Sequence, residues 1–171
     1  MEFKKGATIK LEGGKSAKVI AKLGEGGQGI VYSVKIDGKD YALKWYTFRF
    51  QNKKEFRKNL QTNIASGAPD GKFLWPLYLT EEVKGSFGYI MNLRPGNFSD
   101  FSDILNNKVK FASTEVLITS ALNIVNAFRL LIDDKLSIVT FLWEKSFWHF
   151  LLVLSYTASE PISFYKFFTN S

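Results

Sequence analysis

The residues with the clearest chemical potential are a cluster of glycines and one lysine. Gly24, Gly26 and Gly29 stand in the spacing Gly-x-Gly-x-x-Gly, Gly27 adds a fourth glycine among them, and Lys44 follows downstream. Glycine carries no Cβ, so its backbone N–H can approach an anion closely, and a lysine ammonium supplies a compact positive charge. Glycines and lysine together suit a chain of phosphates. The spacing alone is weak, because glycine clusters mark many ordinary loops, so the flanking sequence decides. In a dinucleotide-binding βαβ unit the third glycine opens a helix. Here Gly29 leads into Ile30-Val31-Tyr32-Ser33-Val34-Lys35-Ile36, which is rich in β-branched residues and reads as a strand. A Walker-type loop needs Gly-Lys followed by Ser or Thr, and Gly29 is followed by Ile30. Both of those readings fail, which leaves a glycine-rich turn between two antiparallel strands with a lysine on the strand that follows.

The elements that must position these groups can be read from pattern. Ala7-Thr8-Ile9-Lys10-Leu11 alternates as a strand, Gly13-Gly14 suits a tight turn, and residues 18–23 form the return strand. Asp37-Gly38 predicts a type I′ hairpin into Tyr41-Ala42-Leu43-Lys44-Trp45-Tyr46. Alternation puts Ala42 and Lys44 on one face of that strand and Tyr41, Leu43 and Trp45 on the other. A small residue leaves room for a flat purine, and a lysine two residues on reaches its phosphates. Asn52 is a helix cap with Glu55 reaching back to it, Phe56, Leu60 and Ile64 line one helix face, and Gly67 and Pro69 end the helix. Residues 73–82 and 87–93 read as two strands joined at Lys84-Gly85-Ser86, and Arg94-Pro95-Gly96-Asn97 as a turn at a lobe boundary. Beyond a short segment at residues 101–105, a long helix is predicted over residues 113–132. Leu117, Ala121, Ile124, Phe128 and Leu131 make one stripe, widened by Ile118, Leu122, Val125 and Ile132, and so broad an apolar face needs a partner.

From Leu23 onward the sequence resembles the protein kinase family, of the bacterial serine/threonine type. Leu23-Gly24-Glu25-Gly26-Gly27-Gln28-Gly29-Ile30-Val31-Tyr32 is similar to that family's glycine loop, and Tyr41-Ala42-Leu43-Lys44 to its Val-Ala-Ile-Lys strand. Gly88-Tyr89-Ile90-Met91-Asn92-Leu93-Arg94 looks like the fifth strand running into the hinge. The resemblance covers about residues 7–135 and implies ATP as the bound nucleotide and a protein as the phosphoryl acceptor. It implies that Leu23, Val31 and Ala42 contact adenine, that Met91 guards the back pocket, and that the backbone of Asn92, Leu93 and Arg94 hydrogen-bonds the base. Gly24, Gly26, Gly27 and Gly29 would cover the phosphates, and Lys44 would hold them, oriented by a helix glutamate for which Glu55 is the one acid available. Asn59 and Asn63, on the same helix, cannot supply that charge.

The resemblance implies an α+β fold: a kinase-like N-lobe at residues 1–94, with a five- or six-stranded antiparallel sheet and one helix, then a hinge and partial helical C-lobe at residues 95–135. Residues 136–171 differ in composition. Residues 1–135 hold 21 Lys/Arg and 14 Asp/Glu, whereas the last 36 residues hold two of each, ten aromatics and no glycine. After Asp134 the chain has no aspartate, and Glu144 and Glu160 stand in neither a His-Arg-Asp nor an Asp-Phe-Gly context. The expectation is that magnesium, which the family uses, finds no ligands here, and that the chain binds nucleotide without transferring phosphate. A truncated or frame-shifted kinase gene would account for the change of composition; a pseudokinase-like binding module is the alternative. The formal charge of +7 raises a third reading, a basic nucleic-acid-binding protein, but the lysines are scattered and no arginine-rich block occurs. His149 stands alone between aromatics, no cysteine is present, and the strongly apolar ten-residue stretch from Phe147 to Tyr156 falls short of the ~20 that a membrane span needs. Neither a membrane nor a nucleic acid is expected as partner, and a cytosolic setting is expected from the charged N-terminus.

Overall fold

The structure is a computed structural model and describes residues 1–47, 53–71, 73–94, 106, 108, 110–133, 151–154 and 164–166. Side-chain alternation in its strands sets the architecture. Six strands, β1 (Thr8–Lys10), β2 (Ser16–Gly26), β3 (Gly29–Ile36), β4 (Lys39–Tyr46), β5 (Tyr78–Leu79) and β6 (Gly88–Asn92), form an antiparallel sheet in the order β1-β2-β3-β4-β6-β5. The sheet curls until its two edge strands meet. Leu11 bridges Thr80, the Glu12 N–H donates to the Leu79 carbonyl at 2.8 Å, and the Glu81 N–H donates to the Lys10 carbonyl at 2.9 Å. This seam makes a small barrel.

Every second residue of the strands points into the barrel. Ile9, Leu11, Ala17, Val19, Ile30, Tyr32, Val34, Ile36, Leu43, Trp45 and Ile90 are all buried there and form one cluster. Phe3 packs edge-on to Trp45 and Tyr32, with ring centroids 4.7 and 5.8 Å away, and its N–H donates to the Tyr32 hydroxyl at 3.0 Å. The tight turns take the forms their residues allow. Asp37 (φ 48°) and Gly38 (φ 83°) are both left-handed, as a type I′ hairpin requires. Lys84 (φ 51°) and Gly85 (φ 78°) turn the chain between Val83 and Ser86.

Helix α1 (Lys53–Ser66) follows β4. The predicted cap, Asn52, lies outside the described residues. Gly67, at φ 76°, ends the helix, and its N–H donates to the Asn63 carbonyl at 3.1 Å. Leu60 is buried as its spacing predicts, but so is Asn63. The strand expected over residues 73–82 is reduced to β5 and the Thr80 bridge, because Pro76 has no N–H to donate to a ladder. Conversely β2 is longer than predicted and runs into the glycine cluster.

The chain divides into two compact units: one of Met1–Gly67, Trp75–Leu93 and Thr169–Ser171, the other of Ala68–Leu74 and Arg94–Phe168. In the second unit, Ser113 caps helix α2 (Thr114–Asp133), its hydroxyl accepting the Val116 N–H at 3.2 Å. Ser120 is the buried position on this helix among the described residues, while Leu117, Ile118, Leu122 and Val125 are exposed. The predicted wide stripe is therefore not the buried face: exposure of these four residues shows that no described segment covers them. Strands β7 (Leu151–Leu154) and β8 (Phe164–Lys166) pair antiparallel. The predicted segment at 101–105, the turn at 95–97, His149 and Glu144 lie outside the described residues. Among the described residues no helix is long and apolar enough to cross a membrane.

Candidate functional site

The sheet register places the predicted site residues in three rows across the outside of the barrel. One row runs Gly24, Val31, Lys44, Tyr89; the next runs Ala21, Ser33, Ala42, Met91; and Gly29 and Tyr46 begin a third, in which the Tyr46 N–H donates to the Phe87 carbonyl at 3.0 Å. Residues directly opposite in antiparallel strands share a face. Lys44 thus shares an outward row with Val31 and Gly24 and stands one row from Ala42 and Met91. Gly24 and Lys44 lie two strands apart, a backbone span of about 10 Å, which a phosphate chain and an extended lysine side chain can bridge.

The glycine cluster is mostly strand. Gly26 pairs with Gly29 as the last rung between β2 and β3, leaving Gly27 and Gln28 as the turn, and the Thr47 N–H donates to the Gln28 carbonyl at 3.1 Å. Its glycines serve different ends. A Cβ on Gly29 would lie 2.0 Å from the Trp45 carbonyl oxygen, so β4 itself demands glycine there. A Cβ on Gly24 would meet nothing within 4 Å, so its backbone is open to approach from outside. Leu23 is the extra residue in a bulge where the β2–β3 register shifts, and it is 52% exposed. Beside it, Lys22 pairs with Glu25 at 2.5 Å and Glu2 at 2.9 Å, and these hydrogen bonds hold its ammonium above the ordinary lysine range.

Aromatic rings surround the base of Lys44. Its Nζ lies 5.5 Å from the centroid of Tyr46, and Tyr46 contacts Phe56 edge-on at 5.3 Å, Phe87 at 5.7 Å and Tyr89 at 6.1 Å. Burial pushes the Tyr89 hydroxyl up to about 12, opposed in part by a hydrogen bond from Tyr46. Phe56 brings α1 onto this face. Glu55, by contrast, is exposed, and among the described residues no ion pair includes it. What anchors α1 is Arg57, whose guanidinium pairs with Glu12, donates to the Thr80 carbonyl at 2.8 Å and lies 5.0 Å from the Phe87 ring. Asn63 is buried, and neither its amide nitrogen nor its amide oxygen has a partner.

Val31, Ala42 and Met91 are all buried, whereas Asn92 and Leu93 are exposed and Arg94 is the first residue of the second unit. Sequence reasoning missed two residues that shape this face. Gly88 is one: a Cβ there would lie 2.4 Å from the Lys44 carbonyl oxygen, and a glycine inside a strand pattern is a known sign of such close approach. Arg57 is the other, and its only signal was Gln61 one turn on, which also reaches Glu12. Among the described residues no three of His, Cys, Asp and Glu gather to hold a metal ion.

Neither a protein-family model nor a curated protein matches the chain by sequence. Solved structures do match. The kinase domain of Mycobacterium tuberculosis PknI, as a double mutant, aligns over 97% of this chain with a TM-score of 0.61 at 18% identity. The fold is that of a protein-kinase N-terminal lobe. Vaccinia related kinase 3 is similar to this kinase-like chain with a TM-score of 0.55 at 13% identity, covering 78% of the chain and 43% of the solved domain. The autoinhibited serine kinase domain of titin gives 0.52 at 17% identity, covering 68% and 36%. The chain spans 61% of the PknI kinase domain's length.

Proposed function

We propose that this chain binds ATP on the outer face of its barrel, as the nucleotide-binding part of a serine/threonine protein-kinase-like domain. One observation carries the reading: the register sets Lys44 in line with Val31 and the open backbone of Gly24, with Ala42 and Met91 in the adjoining row. The residues present fit a nucleotide. Lys44 is the cation for the phosphates, and the Gly24–Gly29 hairpin supplies backbone N–H groups near them. Leu23 offers exposed apolar surface to adenine, Val31, Ala42 and Met91 are the buried apolar residues behind it, and the backbone of Asn92 and Leu93 supplies hydrogen bonds to its edge.

The reading is of binding rather than transfer. Residues 135–171 contain no aspartate to take a hydroxyl proton, and Glu55 is exposed.

The test is thermal unfolding of the chain with and without a non-hydrolysable ATP analogue, in the presence and absence of magnesium, for wild type and Lys44→Ala. Ligand at a hundredfold excess over Kd adds about 2.7 kcal/mol of stability. The expected outcome is a rise in Tm that Lys44→Ala abolishes. A rise of equal size in both proteins, or none in the wild type, would end this reading.

A further inference from the structure

The helix beside Lys44 is held by a contact that the nucleotide reading does not use. Arg57 leaves α1 and reaches the barrel seam, where its Nη2 meets both the Glu12 carboxylate and the Thr80 carbonyl. Gln61, one turn later on the same helix face, donates to both oxygens of Glu12 at 3.4 and 3.3 Å. Glu12 is itself fixed, since its N–H bonds the Leu79 carbonyl. The guanidinium side chain is only 16% exposed and its Nη1 is buried without a partner, so neighbouring groups rather than hydration hold it in place.

Two short routes lead from Arg57 to Lys44. Along the backbone, Thr80 exchanges bonds with Gly88: the Gly88 N–H donates to the Thr80 hydroxyl at 2.9 Å and the Thr80 N–H to the Gly88 carbonyl at 3.0 Å. Gly88 in turn packs on the Lys44 carbonyl so closely that a Cβ would not fit. Through side chains, Arg57 lies over Phe87, Phe87 touches Tyr46, and Tyr46 lies under the Lys44 ammonium. Both routes run through packed groups with defined partners, the kind of connection that transmits position.

We infer that Arg57 and Glu12 are positioning residues for Lys44, setting the strand and helix between which its ammonium meets a triphosphate. This rests on the ATP reading above and adds how that site is ordered. Because Lys44 acts on phosphates and not on the base, loss of the mooring weakens triphosphate binding selectively, whereas general loosening of the lobe weakens every adenine ligand alike.

The experiment uses the full chain and two probes, a non-hydrolysable ATP analogue and adenosine, with Kd measured by calorimetry for wild type, Lys44→Ala, Arg57→Met and Glu12→Gln. Arg57→Met keeps the stem over Phe87 and removes the fork; Glu12→Gln leaves Arg57 on Thr80 and serves if the first variant does not fold. Expected is a roughly tenfold loss of analogue affinity in Arg57→Met, a smaller loss in Glu12→Gln, and unchanged adenosine affinity in both. An unchanged analogue-to-adenosine ratio in the folded variants, with that ratio collapsed by Lys44→Ala, overturns the inference and leaves the ATP reading standing. If the wild type does not prefer the analogue, or Lys44→Ala keeps the preference, the ATP reading falls and this inference falls with it.

Discussion

Substituting two glycines of the same cluster by alanine has opposite consequences in this barrel. At Gly29 the new Cβ would sit 2.0 Å from the Trp45 carbonyl oxygen and 3.0 Å from Tyr46 Cα, where ordinary contact begins near 3.4 Å. All of these atoms are backbone, so no side chain can turn aside. Relief requires β3 and β4 to part by more than an ångström, at the expense of the Gly29–Tyr46 rung and the Thr47 to Gln28 bond. Overpacking strain of about 1–3 kcal/mol and a hydrogen bond or two at about 0.5–1.5 kcal/mol each give a loss of about 1.5–6 kcal/mol. For a lobe of this size that lowers Tm by at least ~6 °C. Gly24→Ala meets open space with an ordinary φ, and it leaves stability unchanged or raises it by about 0.5 kcal/mol through the unfolded chain. Urea unfolding followed by tryptophan fluorescence reads both, since Trp45 lies in the barrel interior. Gly29→Ala within about 1 kcal/mol of wild type would refute the close-approach argument.

Other outcomes follow from neighbouring observations. Gly88→Ala, facing the Lys44 carbonyl, costs at least ~2 kcal/mol and weakens binding of the ATP analogue, both measurable on the same samples. Asn63→Leu replaces two buried, unpartnered amide atoms with an apolar group of similar size and raises stability by about 1–2 kcal/mol in urea unfolding; a loss would show that the amide is engaged. Tyr89, raised by burial, gives up its proton more readily unfolded than folded. The Tyr89 contribution to stability is therefore constant below about pH 10 and falls by about 1.4 kcal/mol per unit as pH rises toward 12. Tyr89→Phe flattens that decline, and what remains belongs to groups such as Tyr32, which burial shifts in the same direction.

Local signals were legible and long-range ones were not. Asp37-Gly38 announced its turn because two successive left-handed residues tolerate few other pairs, and Tyr41 to Trp45 announced an inside and an outside through period-two alternation. Pro76 interrupted the strand read over residues 73–82, a case of hydrophobic pattern overruled by a missing donor. The seam between Leu11 and Thr80 had no sequence signal, since it pairs segments that only the accumulated curl of the sheet brings together. Gly29 was read as an aid to anion approach, yet the nearest demand on it comes from its own sheet. The burial of Asn63 was not foreseen, because a polar residue three positions after Leu60 looks like the start of the solvent face. Of the site residues, Ala42 and Lys44 followed from alternation and Gly24, Val31 and Met91 came from the family resemblance, whereas the mooring by Arg57 depended on a turn residue forty-five positions away.

The seam also bears on the order in which the lobe assembles. Its two sides are separated by roughly seventy residues, so closing it is entropically expensive until the hairpins between them already stand. The bonds from Arg57 and Gln61 to Glu12 join only then, making them latecomers to folding. Variants that loosen this junction accelerate unfolding while leaving the refolding rate almost untouched.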